Sequence, residues 1–322
     1  ASAVSVATVR RESAPEKPVP NAISIDLRSE QGLLEVRFKN GKLLTYAFAA
    51  RQFKPYVREL FSLSGENILR DAPADHLHHH GLMYAIRVNG VNFWEETGQP
   101  GREHSGKWLS QESGTSPEGL PQARFSQLIH WIKDQDNAVA NSASATLLVE
   151  QRTITVAVDE AQHEVALEWR GDFAVGPGTT KATLTGSEYN GLGLRVPQTF
   201  DQAARHENSG RVPYTGPGQR DVIAANWSSV TGLAGGREMT IALLARPNET
   251  RGTAKFFTML DPFAYLSVTQ GLDKAPLEYS AGDQFSVRYL LLVYSTSRTP
   301  EFIQQRHQRW ERQTGGLKPE FK

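Results

Sequence analysis

Four of the nine histidines in this chain of 322 residues fall within the run Asp75-His76-Leu77-His78-His79-His80-Gly81. Imidazole is the side chain whose unperturbed pKa places its charge change near neutrality. Such a run suits proton transfer to and from a substrate oxygen, or metal ligation. In an extended segment side chains alternate faces, so His76, His78 and His80 would share one face and His79 the other. An adjacent pair serves one pocket only where the backbone turns, and Gly81 offers a turn. His78 and His79 are therefore the expected working pair, with His76 in support. The alternative is an exposed polar loop with no chemistry. The HExxH zinc signature is absent, which favours acid–base work over metal binding. No cofactor is expected, although a divalent metal at the histidine cluster stays open as an alternative.

A carboxylate near histidines would complete an acid–base pair. Glu95 and Glu96 close the stretch Val88-Asn89-Gly90-Val91-Asn92-Phe93-Trp94-Glu95-Glu96, and Gly101-Arg102-Glu103-His104 follows. Neighbouring glutamates in a strand face opposite ways, so only one of them can serve a given pocket. Glu96 is the expected partner and His104 a further catalytic candidate. Trp94 is either core or a platform on which a sugar ring stacks. Glu188 and Arg195 flank a glycine-containing stretch whose spacing is not GxGxxG, which argues against a dinucleotide site. Arg195 suits a carboxylate or a ring hydroxyl, or an internal salt bridge. Trp227 is a second stacking candidate or a core residue. Ser228 and Ser229 lack the GxSxG context of a nucleophile elbow.

The elements that must position these residues read as strands. Ile23 to Leu27, Leu34 to Phe38 and Leu43 to Phe48 alternate apolar and polar, with Asn40-Gly41 as a hairpin signal. Segments within 145–158, 163–173, 180–186, 240–244, 263–269 and 285–294 behave alike. Helical periods are missing until Thr299-Pro300, which opens a helix over about 300–312. The pattern predicts an all-β fold: one large antiparallel β-sandwich over 22–322 with a C-terminal helix, preceded by a tail over 1–21. Stretches 98–122 and 203–219 read as loops that build a binding surface.

Charge narrows the function classes. The 35 basic and 35 acidic residues cancel, which speaks against a nucleic-acid partner or a polybasic membrane contact. No run reaches the roughly 18–20 apolar residues that span a bilayer, so membrane insertion is not expected. Cysteine is absent, which removes disulfides and thiolate chemistry. The small-residue start Ala1-Ser2-Ala3 suits a processed end, so a secreted or periplasmic location is expected, with a signal peptide removed. Oligomeric state is not readable.

These stretches together resemble the PmoA-like family of exported bacterial proteins. The matching motifs are Lys54-Pro55-Tyr56, Asp75 to Leu82, Val88 to Glu96, Gly191 to Arg195 and Trp227 to Gly232. Gly101-Arg102-Glu103-His104 matches with its histidine one residue early. His80 departs from the pattern, which carries Arg there. The family is similar to galactose-mutarotase-like supersandwich proteins, so the resemblance implies that fold and a saccharide ligand. It points to a carbohydrate-active enzyme that cleaves or transforms a glycoside, of hydrolase or lyase type. His78, His79, Glu96 and His104 would act in catalysis. His76, His80, Trp94, Glu188, Arg195 and Trp227 would bind substrate. The rivals are a non-catalytic glycan-binding protein, an aldose epimerase and a metal-dependent sugar enzyme.

Overall fold

The computed structural model describes residues 22–133, 146–214, 220–246 and 252–314. The expected tail over 1–21 lies outside them. Within them the chain is built from antiparallel strands and ends in the helix Pro300–Thr314. One sheet has nine strands, in the order Ile23–Arg28, Leu33–Phe38, Gly41–Ala47, Tyr56–Leu60, Leu82–Ala85, Gly191–Arg195, Tyr265–Thr269, Lys255–Met259 and Asp221–Ala224. A second has eight, in the order Arg205–Asn208, Trp227–Ala234, Arg237–Ala245, Gln284–Tyr294, Glu164–Val175, Thr146–Asp159, Pro121–Ile132 and Arg102–Thr115. A small four-stranded sheet joins Leu277–Ser280, Lys181–Thr185, Arg87–Val88 and Val91–Asn92.

The two large sheets face each other across one apolar core. Alternation fixes which side chains enter it: Leu34, Val36 and Phe38 are buried, while Arg37 between them is not. Across the interface Tyr46 meets Phe125, and Tyr84 meets Trp131 and Phe173. Charge is also buried there. Arg152 donates to both oxygens of Glu150, to Glu103 and to the Pro55 carbonyl. The far face of the eight-stranded sheet is covered by the C-terminal helix, which packs Ile303 and Trp310 on Leu244, Leu290 and Leu292. Thr299 caps that helix, since its hydroxyl accepts from the Phe302 amide at 3.3 Å.

Several expectations need correction. The stretch 98–122 is mostly the long strand Arg102–Thr115, paired with Pro121–Ile132; only residues 98–101 and the turn near Ser116 lie outside strands. Polar residues misled the reading because much of this strand is solvent-exposed. In 203–219 the strand Arg205–Asn208 also forms, while residues 215–219 lie outside the described set. The first hairpin turns at Lys39-Asn40, because Phe38 pairs with Gly41. Asn89-Gly90 does form a tight turn, with φ of 51° and 81°. The C-terminal helix runs two residues past the expected end.

Candidate functional site

The histidine run is not extended. It turns after Pro73: the His76 amide donates to the Pro73 carbonyl and the His79 amide to the His76 carbonyl, each at 2.9 Å. The turn brings His76, His78 and His79 together and sends His80 elsewhere. The His76 and His79 rings stack at 4.6 Å, and His78 meets His79 edge-on at 4.6 Å. The separation that an extended run would impose does not arise, because alternation holds only for a strand and this run turns.

These three rings form one wall of a cavity of about 210 Å³ on the outer face of the nine-stranded sheet. Its floor comes from two adjacent strands. Phe257 and Met259 project from Lys255–Met259, and Tyr265 from the strand beside it. Arg195, opposite Tyr265 in register, shares that face, while Leu194 and Leu266 point into the core. Trp94 and Phe263 close the floor, and Tyr189, Glu95 and the exposed Arg220 edge the mouth.

Arg195 organises the floor from behind. Its guanidinium stacks 3.3 Å from the Phe263 ring centroid, donates to Asp75 at 2.8 Å and reaches Nδ1 of His79 at 3.4 Å. Arginine only donates, so His79 Nδ1 accepts and the ring proton sits on Nε2. Burial, with His78, His76 and Arg195 close by, pushes the His79 pKa down to about 3. His79 is therefore neutral and acts as a fixed donor. Burial costs Asp75 as well, but Arg195 and His76 hold its carboxyl well below the usual range. His78 is also pushed down, by burial first and then by His76 and Lys54, while Glu95 and Glu96 pull it back up.

Glu96 is already engaged. It accepts from Lys54 at 2.6 Å and from His80 Nε2 at 2.9 Å. Against its burial cost, these partners bring it down to about 2. His80 also meets Asp71 through Nδ1 at 3.0 Å and stacks on Tyr56 at 4.2 Å. Glu96 and His80 thus form a supporting ion network with Lys54 and Asp71 and do not line the cavity. The lining carboxylate is Glu95.

Three other expected residues lie apart from the cavity. His104 pairs in register with His130 on the eight-stranded sheet. Trp227 is buried under the C-terminal helix and donates to Gln304 at 2.8 Å. Glu188 precedes the lining residue Tyr189 but does not itself line the cavity. The lining residues that sequence reasoning missed are Glu95, Tyr189, Arg220, Phe257, Met259, Phe263 and Tyr265. One signal was available: in 263–269 aromatic and polar residues alternate with aliphatic ones, which marks a strand with a second, non-core face.

Among the described residues no group of three His, Asp or Glu side chains is arranged to hold a metal ion. A larger groove of about 540 Å³ lies between the C-terminal helix and the eight-stranded sheet. It contains no histidine, and its buried arginines are spoken for: Arg288 pairs with Glu168 and Arg306 with Glu164. The smaller cavity is the better site candidate on chemistry.

Residues 33–308 match the family described as "Family of unknown function (DUF6807)", and the chain belongs to that family. No curated protein matches it. Solved structures with related architecture include the galactosidase domain of an α-galactosidase-sucrose kinase, with TM-score 0.48 and 11% identity over 84% of this chain and 42% of that one. A putative aldose 1-epimerase from Klebsiella pneumoniae gives 0.46 and 10%, over 89% and 84%. A galactose mutarotase related enzyme from Lactobacillus acidophilus gives 0.40 and 8%, over 86% and 99%. The chain thus spans about two fifths of the length of the galactosidase chain. Likeness at this level carries neither substrate nor reaction.

Proposed function

We propose that this family member is a carbohydrate-active enzyme whose cavity takes one sugar ring and in which His78 moves the proton. The observation that carries the reading is the composition of one small cavity: an aromatic floor beneath three histidines, a carboxylate and an arginine. At about 30 Å³ per water, its volume of about 210 Å³ equals roughly seven waters, the scale of a single small polar ring. Aromatic faces suit the C–H face of a pyranose, while His, Glu95 and Arg220 suit its hydroxyls.

The roles follow from charge state. His78 is half-buried and held below its ordinary pKa, so at neutral pH it is a free base able to take a hydroxyl or water proton. The Glu95 carboxylate favours the imidazolium that forms, which can then return the proton to a leaving oxygen. His79 stays neutral and donates from Nε2 to a sugar oxygen. Proton movement of this kind serves the cleavage or transformation of a glycoside. Export from the cytoplasm belongs to the same proposal, and fractionation of cells making the full-length gene product checks it.

The test is product analysis on a panel of mono- and disaccharide glycosides, with sugar binding measured in parallel. His78→Ala should bind within about threefold of the parent and lose 10²–10⁴ in turnover, the usual worth of a general base. A folded His78→Ala protein with full turnover rules out the acid–base role. Binding without turnover in the parent makes the chain a glycan-binding protein.

A further inference from the structure

We infer that one ion pair, Arg195 with Asp75, sets opposite tautomers on the stacked rings of His76 and His79, and that the donor–acceptor pair so formed grips two neighbouring hydroxyls of the sugar. The inference rests on the reading of the cavity as a saccharide site and names what that site requires of its ligand.

Asp75 Oδ2 accepts from Arg195 at 2.8 Å and lies 3.0 Å from Nδ1 of His76. A carboxylate only accepts, so His76 Nδ1 carries the proton, and in the neutral ring Nε2 is a bare lone pair. Arg195 also donates to Nδ1 of His79 at 3.4 Å, which leaves the His79 proton on Nε2. The same ion pair therefore makes one ring an acceptor at Nε2 and the other a donor there.

The two rings stack at 4.6 Å, 27° from parallel. Both Nδ1 atoms are held from one side, that of the ion pair, and across an imidazole Nε2 faces nearly the opposite way. Both Nε2 atoms thus leave the stack together. His76 and His79 line the cavity while Asp75 and Arg195 stand behind them, so the side they leave by is the cavity. Neither Nε2 has a hydrogen-bond partner among the described residues, and neither is sealed from water.

Neighbouring hydroxyls of one ring satisfy such a pair, one giving its hydrogen to His76 and the other receiving from His79. A carboxylate or phosphate oxygen would meet the His76 lone pair, and an ammonium the His79 N–H. This wall therefore selects a neutral ring with adjacent hydroxyls. It holds that ring beside His78, which meets His79 edge-on at 4.6 Å. Asp75 acts through His76 and is a positioning residue.

Nitrogen NMR of the isotope-labelled full chain at about pH 8.5, above the ordinary histidine range, tests this, with His76→Gln and His79→Gln assigning the signals. His76 should carry its proton on Nδ1 and His79 on Nε2. In Asp75→Ala, checked for unchanged melting, the His76 proton should no longer be confined to Nδ1. The methyl glycosides of D-glucose, D-galactose and D-mannose are then titrated. Whichever binds should move the Nε2 signals of both rings, and Asp75→Ala should bind it at least about threefold more weakly. The same tautomer on both rings, saturation that moves only one Nε2 signal or neither, or full affinity in folded Asp75→Ala overturns the inference and leaves the saccharide reading standing. An Asp75→Ala protein that fails to fold leaves the spectra of the parent to decide. No binding of any of the three glycosides at about 10 mM overturns both.

Discussion

His80 places one ring nitrogen 3.0 Å from Asp71 and the other 2.9 Å from Glu96. Carboxylates accept, so both nitrogens donate and the ring is an imidazolium. Burial works against that charge, but the two carboxylates outweigh it and raise the pKa. An arginine at this position would supply the same charge and donors enough for both acids. His80→Arg should therefore change stability by less than about 1 kcal/mol, whereas His80→Gln should cost about 3 kcal/mol, the scale for breaking a buried pair. Urea unfolding measures both. A raised folded pKa gives stability that is fully present below the unfolded value near 6.5 and fades as pH rises through the folded value. The His80→Gln deficit should thus shrink at alkaline pH, while His80→Arg stays level with the parent. A deficit independent of pH would mean that packing on Tyr56, not charge, is what His80 contributes.

The turn that carries the histidines is held against the strand Tyr56–Leu60 by the stacking of His80 on Tyr56 and by a close backbone approach at Gly81. A Cβ on Gly81 would lie 2.5 Å from the Val57 carbonyl oxygen and 2.9 Å from that of Arg58. Both are backbone atoms, so they cannot swing aside. Gly81→Ala should push the turn off the sheet, cost about 2–4 kcal/mol and weaken sugar binding at the same time. Thermal melting and titration check it, and normal values for both would show that the turn adapts. The sequence suggested a turn at Gly81 but not its reason, which is contact with a strand more than twenty positions earlier. The same limit explains Glu96. Choosing between Glu95 and Glu96 depends on where Lys54 and His80 end up, and adjacency alone does not decide it. His104 and Trp227 were placed in the site by type, and strand pairing sends both to the other sheet.

At the scale of the molecule, alternation revealed the all-β class because one face of each strand is buried and leaves a period of two. The cavity was only half legible. Its histidines are local in sequence, but its floor arrives by pairing of strands near 195, 257 and 265, which no local pattern announces. Long-range packing also sets the acid limit of the fold. His206 is buried, with its ring nitrogens 3.3 Å from the Ser229 carbonyl and 3.2 Å from that of Met259, so it ties the eight-stranded sheet to a cavity strand. Burial outweighs both carbonyls and lowers its pKa to about 4. The unfolded chain, with ordinary histidine near 6.5, binds more protons over this window, so falling pH favours unfolding. His206 stabilisation is complete above about pH 6.5 and is lost as pH falls toward 4, roughly 3 kcal/mol in all. His79, lowered further, acts in the same direction. Glu103 opposes them, because burial raises its pKa despite Arg152, so its contribution fades as pH rises above the ordinary carboxylate range. Unfolding free energies measured from pH 7 to 4 should therefore fall more steeply for the parent than for His206→Asn, by about 3 kcal/mol across the range. The slope, not the absolute stability, is the readout, because it is insensitive to packing lost in the variant. Parallel slopes would place the acid limit elsewhere.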